Sequence, residues 1–335
     1  MLTTLKERTF PWWRIAMLQC LWLLAMRDAF GQTSPEEEWI DKTHSFIYDT
    51  LWRSSLGLDR YFGSQEPAEV YQKLYGSISP ALLWDQVRGF QPKLRFQVNF
   101  PLPQLNHRFN AIIGRVNPDE FVTESAQQSG AIQRQFGPIA EDQTVFGIVY
   151  QGPAQEGGFG LGAGIRIRSP LDPYLKGDYT YAHGTPQGLL LVARQTLFWE
   201  ASEHLGVTTR LDLDHFLSEQ ALLRFATSAT LSQKSQGLRG YAAATLLRSL
   251  AERRAVVWNL SADWETRAPV SLHEFGAAAA YRQGIYRDWL ILELRSSLSW
   301  PKPTPEAART RSWGLGIGVE MLLGTTQFQA RPVTF

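Results

Sequence analysis

Cysteine is almost absent from this chain of 335 residues: Cys20 is its single thiol. Cys20 lies in an N-terminal apolar segment that we expect to be removed, so the mature chain would contain no thiol. A chain without thiols forms no disulfide, holds no cysteine-ligated metal and has no cysteine nucleophile. These three kinds of chemistry are therefore excluded for the mature protein.

Net charge and long apolar runs are missing as well. The 33 basic and 32 acidic residues give a formal net charge of +1, so no overall field favours nucleic acid as a partner. After the N-terminal segment, no apolar run reaches the roughly 18 residues of a transmembrane helix, which excludes a helical membrane protein. The mean hydropathy of −0.22 is compatible with a β-barrel, whose polar inner face offsets its lipid-facing side.

Motifs for catalysis or metal binding are also lacking. The histidines stand singly, without the serine and the orienting residue that a hydrolase requires. Asp212 and Asp214 share one face, but calcium prefers about six to eight oxygen ligands. The glycines between 157 and 162 lie in a predicted strand rather than before a helix, so they form no phosphate loop. We therefore expect no enzyme, no cofactor and no resident metal.

The first 31 residues have the features of a secretory signal. Lys6, Arg8 and Arg14 supply positive charge, the apolar stretch 15–26 follows, and Ala29 and Gly31 offer small residues for cleavage. The apolar stretch is too short to span a bilayer as a helix. We predict export with cleavage after residue 31; the alternative is an uncleaved N-terminal anchor.

Residues 32–73 are predicted to form a short periplasmic amphipathic helix and a linker. Ser34 is a suitable N-cap, Pro35 suits the first helical position, and the acidic residues 36–38 complement the helix dipole. If the strands described next close into a barrel, three placements of the helix are open: against the barrel rim, inside the lumen as a plug, or on a partner protein of the envelope. The apolar stripe offers these candidates for that contact: Trp39, Phe46 and Ile47.

From about residue 74 onward, apolar and polar residues alternate in one short segment after another. In 92–100, the even positions from Leu94 to Phe100 are apolar and the odd positions from Lys93 to Asn99 are polar. A period of two marks a β-strand whose two faces meet different surroundings. We predict strands at 74–85, 91–101, 107–116, 143–152, 158–168, 174–183, 188–200, 205–216, 221–232, 238–249, 254–265, 272–282, 287–299 and 311–323.

Segments of roughly ten residues with tight turns and an aromatic-rich apolar face describe an all-β fold, an antiparallel transmembrane β-barrel. We expect about 14 strands over 74–335, within limits of 12 and 16. The first strand is the weakest, because Pro80 interrupts it and proline is tolerated only at edges or bulges. With an even count both chain ends are periplasmic, and the longest loop, 117–142, is extracellular.

The chain resembles Gram-negative outer-membrane β-barrel proteins as a class. Ser312, Gly314, Ile317 and Val319 stand in an order similar to the signal that barrel assembly machinery recognises on a last strand. Either the last strand is 311–323 with a tail after it, or the segment ending at Phe335 is the one recognised. The resemblance implies residence in the bacterial outer membrane, contact with its lipid, and insertion by the assembly machinery.

Lumen-facing charges are the best candidates for a functional site. Opposed charged walls would create a transverse field that orients polar solutes, as in a diffusion pore. The alternative is that these charges pair across neighbouring strands inside a plugged barrel whose periplasmic helix binds an envelope partner. The candidates are Lys93, Arg95, Arg108, Arg166, Arg168 and Arg194 in the basic first half, and Arg210, Asp212, Asp214, Asp263, Glu293 and Arg295 in the mixed second half.

Glycine repeats on the predicted inner face admit two interpretations. They occur at alternate positions in 160–164 and again in 314–318. They either leave room for other side chains to pack against the wall or allow the curvature that closes a barrel. We favour packing.

Overall fold

A computed structural model describes residues 75–102, 109–116, 143–151, 157–185, 188–235, 237–251, 253–287 and 289–324, together with Ser45 and Ile47. No described helix is long and apolar enough to cross a membrane. The strands are β1 (Tyr75–Asp85), β2 (Gly89–Pro101), β3 (Phe109–Val116), β4 (Gln143–Gln151), β5 (Gly157–Ile167), β6 (Asp172–Gly184), β7 (Leu189–Glu200), β8 (His204–Ser218), β9 (Ala221–Ser232), β10 (Arg239–Ala251), β11 (Arg254–Glu265), β12 (Leu272–Tyr286), β13 (Leu290–Ser299) and β14 (Ser312–Gly324).

These strands form one closed antiparallel barrel, in which each strand pairs with the next and β14 pairs with β1. The closing pair, which we call the seam, runs from Tyr75 opposite Gly324 to Asp85 opposite Gly314. We call the end at Tyr75 and Gly324 the terminal rim and the end at Asp85 and Gly314 the far rim. The predicted count of fourteen is confirmed. Among the described residues the last strand is the one that ends at Gly324, and the segment ending at Phe335 lies outside them.

Pro80 lies inside β1 and interrupts its pairing on one side, in line with the expectation that proline interrupts this strand. It stands opposite Leu94 of β2, while the pairing with β14 skips Ser79 and Pro80. Proline has no N–H to donate, so the ladder is interrupted on one side only. The strand therefore persists at full length beside a local break in the seam.

The two faces of the wall differ as the alternation predicted. Apolar side chains that face outward are largely exposed, and these include Leu94, Phe159, Leu161, Ile165, Leu175, Leu197, Leu211, Leu260, Trp313, Leu315 and Ile317. An exposed apolar outer face of this kind is what a bilayer covers in a transmembrane barrel. The alternate positions of these strands point inward and carry charged side chains, among them Arg95, Arg166, Arg194 and Glu320.

One outward-facing group is buried near the terminal rim. Val98 is 1% exposed and Leu323 is 0% exposed, although Leu94 on the same face is 46% exposed. They pack with Phe100, Leu102 and Ala111, and Ile47 contacts this cluster. Ser45 and Ile47 have helical backbone, and the remainder of the predicted helix, with Trp39 and Phe46, lies outside the described residues.

Glycines of β5 make room for side chains of β6. A Cβ at Gly160 would come within 2.8 Å of an Asp178 carboxylate oxygen, and one at Gly164 within 2.6 Å of the Tyr174 hydroxyl. On β14, a Cβ at Gly316 would meet a Leu83 methyl at 2.5 Å. The contacts support the packing interpretation, because inward side chains lie along the wall over the neighbouring strand.

Replacing Gly164 with alanine is expected to destabilise the barrel, because its Cβ would lie 2.2 Å from the Phe146 carbonyl oxygen. Overpacking of this kind costs about 1–3 kcal/mol. The matched control is Gly158→Ala, on the same face of β5, where a Cβ meets nothing within 4 Å. Urea unfolding of the refolded barrel in micelles, followed by tryptophan fluorescence, measures both. Equal effects of the two substitutions would contradict the packing interpretation.

Candidate functional site: the charged inner wall

Three ion pairs of the inner wall join residues that stand directly opposite each other on adjacent strands. Arg166 of β5 is opposite Asp172 of β6, and Asp214 of β8 is opposite Arg224 of β9. Arg282 of β12 is opposite Glu293 of β13. Opposite positions in an antiparallel pair bring side chains within reach, so the strand register itself makes these pairs.

The densest cluster lies at the far rim, where β5 and β7 end and β6 begins. Arg166 is 5% exposed, and its Nη2 lies 3.0 Å from Asp172 Oδ2 and also contacts Glu200. Arg168 reaches the same Asp172 oxygen at 2.7 Å. Ser202 fixes that carboxylate from the β7–β8 turn, since its backbone N–H donates to Oδ1 at 2.9 Å and its hydroxyl to Oδ2 at 2.8 Å. Both arginines are therefore engaged by carboxylates.

The wall of β6 to β9 carries further engaged charges. The Arg194 Nε donates to the Thr180 hydroxyl at 2.9 Å. Arg210 binds both carboxylate oxygens of Asp212, at 2.9 and 3.2 Å. Asp214, which is 4% exposed, is bonded by the Arg224 guanidinium. Charges of both signs thus alternate along this part of the wall rather than forming one field.

Asp263 belongs to an acidic pair near the far rim. It stands opposite Glu274 of β12, and Glu274 accepts a bond of 2.6 Å from Arg88. Arg88 lies in the turn between β1 and β2, where its Nη1 is 3.8 Å from Asp85. This contact ties the first hairpin to β12, although β13 and β14 lie between them in the sheet.

A small cavity of about 50 Å³ lies on the inner side of the seam. Its charged lining residues come from both sides, since Lys93 and Arg95 belong to β2 and Arg295 to β13. The cavity is also lined by Glu293 and Glu320, which both contact Arg282. On β1 and β14, between these strands, the lining alternates small and larger residues: Ser79, Pro80, Ala81, Leu83, Gly316, Ile317, Gly318 and Val319.

Not every candidate from the sequence is described. Arg108 lies outside the described residues, as do Trp39 and Phe46. Ile47 packs against the outward-facing cluster around Val98.

Sequence reasoning did not single out the partners of Arg166. Asp172 could have been predicted as a partner from the sequence, because a short turn joins β5 to β6 and brings Asp172 beside Arg166. Glu200 and Ser202 had no local signal, since their position depends on the register between β6 and β7. Among the described residues, no three His, Asp or Glu side chains converge to hold a metal ion. What the described part of the wall offers chemically is fixed charge.

No protein-family model and no curated protein matches this chain. Among solved structures, the chain is similar to OprB of Pseudomonas putida (8% identity, 75% of this chain and 94% of that chain, TM-score 0.46). It is also similar to OmpT, an outer membrane protein of Vibrio cholerae (8% identity, 75% and 97%, TM-score 0.42). A third is the KdgM porin in complex with disordered oligogalacturonate (6% identity, 73% and 98%, TM-score 0.35).

Identities and TM-scores this low carry no solute or activity over to this chain. The closed sheet of fourteen strands and the apolar outer belt give the chain the fold of an outer-membrane β-barrel.

Arg166→Gln is expected to lower the free energy of unfolding by about 3–5 kcal/mol, because it leaves a buried carboxylate without its partner. The carboxylate that loses its partner is that of Glu200, which is 3% exposed. The control is Arg168→Gln, which removes the same charge from a side chain that is 36% exposed and should cost about 0–1 kcal/mol. Urea unfolding compares the two. Similar costs for both would show that the far-rim cluster is not a buried network.

Proposed function

We propose that this protein forms a pore in the bacterial outer membrane for the passive passage of small polar solutes through a charged lumen. The observation that carries the proposal is the division of the wall into an apolar outer belt and a charged inner face. Charged side chains at membrane depth cost free energy and make no contact with lipid. Rings of fixed charge are the means by which pores select and orient solutes.

The size of the barrel supports the same function. Fourteen strands spaced about 4.8 Å apart and tilted about 40° enclose a backbone cylinder of roughly 14 Å radius. Barrels of about eight strands are filled by their own side chains, whereas those of about 16 leave an aqueous channel. Fourteen strands lie near the channel-forming end of that range.

Export and assembly complete the proposal. Residues 1–31 act as a cleaved signal, and barrel assembly machinery inserts the chain through its last strand, β14. The terminal rim faces the periplasm and the far rim the cell exterior. Short turns at the terminal rim fit this orientation, since periplasmic turns of such barrels are short.

A plugged, non-conducting barrel is the second candidate. It is favoured by the engagement of Arg166, Arg168 and Arg224 in ion pairs along the wall, as expected where charges fill a lumen structurally. The outward-facing cluster around Val98 and Ile47 would then mark where the periplasmic helix and an envelope partner meet. In this reading the helix contact, and not the lumen, is the functional surface.

Single-channel recording of the refolded mature protein in a planar bilayer is the test. Discrete current steps of uniform size are expected, because a polar lumen of this radius conducts ions. Heat-modifiable electrophoretic mobility establishes beforehand that the barrel is folded. A folded barrel that stays silent would overturn the pore and favour the plugged alternative.

Charged substitutions in the helix separate the two candidates further. Trp39→Glu, Phe46→Glu and Ile47→Glu should leave an open pore unchanged. If the helix is a plug, the same changes raise conductance. If it binds an envelope partner, they abolish crosslinks from the helix and leave the current as it was.

A further inference from the structure

A shallow groove crosses the outward face of β9, β10 and β11. Its floor is a row of small residues that stand directly opposite one another: Thr227, Ala242 and Ala262. Larger side chains flank this row at the same level, Leu211 of β8 on one side and Phe275 of β12 on the other. The row spans four strand spacings, or about 19 Å. The outer wall is therefore hollow here between two apolar sides.

The groove is large and its lining is apolar. Its volume is about 880 Å³, which lies within the range of roughly 300–1,000 Å³ that is usual for ligand sites. Ala244 and Ala277 continue the floor on the next outward row, on either side of Leu260. The Thr227 hydroxyl donates to the Tyr241 carbonyl oxygen at 3.1 Å, so the wall itself satisfies this polar atom. A hydrocarbon chain is the kind of ligand that such a lining fits.

A guanidinium lies at the far-rim end of the groove. Arg309, in the loop between β13 and β14, stands over the Phe275 ring at 5.3 Å. Phe275 stacks on Trp300 with ring centroids 5.3 Å apart, and both rings line the groove. Three backbone carbonyls hold the guanidinium in this position, those of Trp300, His273 and Leu272. A fixed cation therefore adjoins the apolar lining directly.

The position of Arg309 corresponds to the depth of lipid head groups. Leu272 is the first residue of β12, and Trp300 follows the last residue of β13, so both mark strand ends. Aromatic side chains at the strand ends of a transmembrane barrel lie at the boundary between hydrocarbon and water. The charge of Arg309 thus lies where lipid phosphates lie, and the groove extends from it into the hydrocarbon region.

In the described part of the chain, the contacts of Arg309 are all with neutral groups. Its hydrogen bonds go to carbonyl oxygens, and its face lies on an aromatic ring. Arg166 and Arg282 of the inner wall, by contrast, contact carboxylates. A guanidinium has five N–H donors, and the three carbonyls leave two of them for a ligand. An anionic group at this place would complete both the charge and the hydrogen bonding.

We propose that this groove binds a membrane lipid with a phosphorylated head group, whose phosphate contacts Arg309 and whose acyl chains lie over Thr227, Ala242 and Ala262. Guanidinium groups bind phosphate oxygens through short, charge-assisted bonds. Lipid tails are as apolar as the leucines of the wall, so the lining alone gives no preference among lipids. Selection therefore rests on Arg309 and on the shape of the groove. The site does not depend on whether the lumen conducts.

Native mass spectrometry of the refolded barrel in neutral detergent is the test of the head-group contact. The probes are dioleoylphosphatidylglycerol and a diphosphorylated lipid A with six acyl chains, and dioleoylglycerol is the control without phosphate. Arg309→Gln should weaken binding of both phosphorylated lipids about fivefold, because one charge at contact distance is lost. Binding of dioleoylglycerol should not change. Arg168→Gln is the matched control, since Asp172 engages this far-rim guanidinium at 2.7 Å.

The same measurement tests the groove itself. Ala242→Leu places a large side chain in the middle of the floor and should weaken binding of both phosphorylated lipids. The matched control is Ala163→Leu on β5, which adds the same side chain at an outward, exposed position between Leu161 and Ile165. This control should bind like wild type. Heat-modifiable mobility shows beforehand that each variant forms a folded barrel.

The outcomes separate the lipid from other occupants. Equal binding in wild type, Arg309→Gln and Ala242→Leu would overturn the site. Loss in Arg309→Gln without loss in Ala242→Leu would show attraction of head groups to the rim alone and would overturn the groove. A dimer that Ala242→Leu abolishes and Ala163→Leu retains would assign the groove to a second copy of this chain instead. A barrel that is silent in the bilayer yet binds lipid through Arg309 would overturn the pore and support the site.

Discussion

Closure of the sheet through β1 and β14 is the constraint on which the rest of this structure depends. In hydrocarbon an unpaired backbone N–H or C=O costs several kcal/mol, so a spanning sheet has to lack free edges. The seam meets this demand from Tyr75 to Asp85 and is interrupted only at Ser79 and Pro80. Once the first and last strands are joined in a fixed register, every other strand is committed to one register and one inward face.

Closure and alternation together explain why the charges of the inner wall are mostly paired. Inward side chains lie along the wall over glycines of the adjacent strand, as Tyr174 and Asp178 do over β5. A long charged side chain in this position is surrounded by protein on most sides and requires a partner. Opposite charges at directly opposed positions, such as Arg282 and Glu293, meet that requirement with no rearrangement of the backbone.

The sequence predicted strands much better than partners. Period-two alternation depends only on neighbouring residues, so all fourteen strands were placed, with ends that differ by at most four residues; β12 extends to Tyr286 rather than 282. The Arg166–Asp172 pair could also have been predicted from the sequence, because its two residues are joined by a short turn. The contact of Arg166 with Glu200 was not, because it depends on two successive registers. The contact of Arg88 with Glu274 depends on closure itself, which joins residues that are remote in the chain.

That remoteness sets the contact of Arg88 with Glu274 apart from the other ion pairs. Asp214 and Arg224 belong to one hairpin, so their attraction favours a contact that is local in the chain. Arg88 and Glu274 meet only when β14 pairs with β1, because β13 and β14 lie between the first hairpin and β12 in the sheet. Closing so long a loop costs more conformational entropy than closing a hairpin, and an attraction between opposite charges offsets part of that cost. The local pairs therefore favour the register of single hairpins, whereas this remote pair favours the closed barrel as a whole.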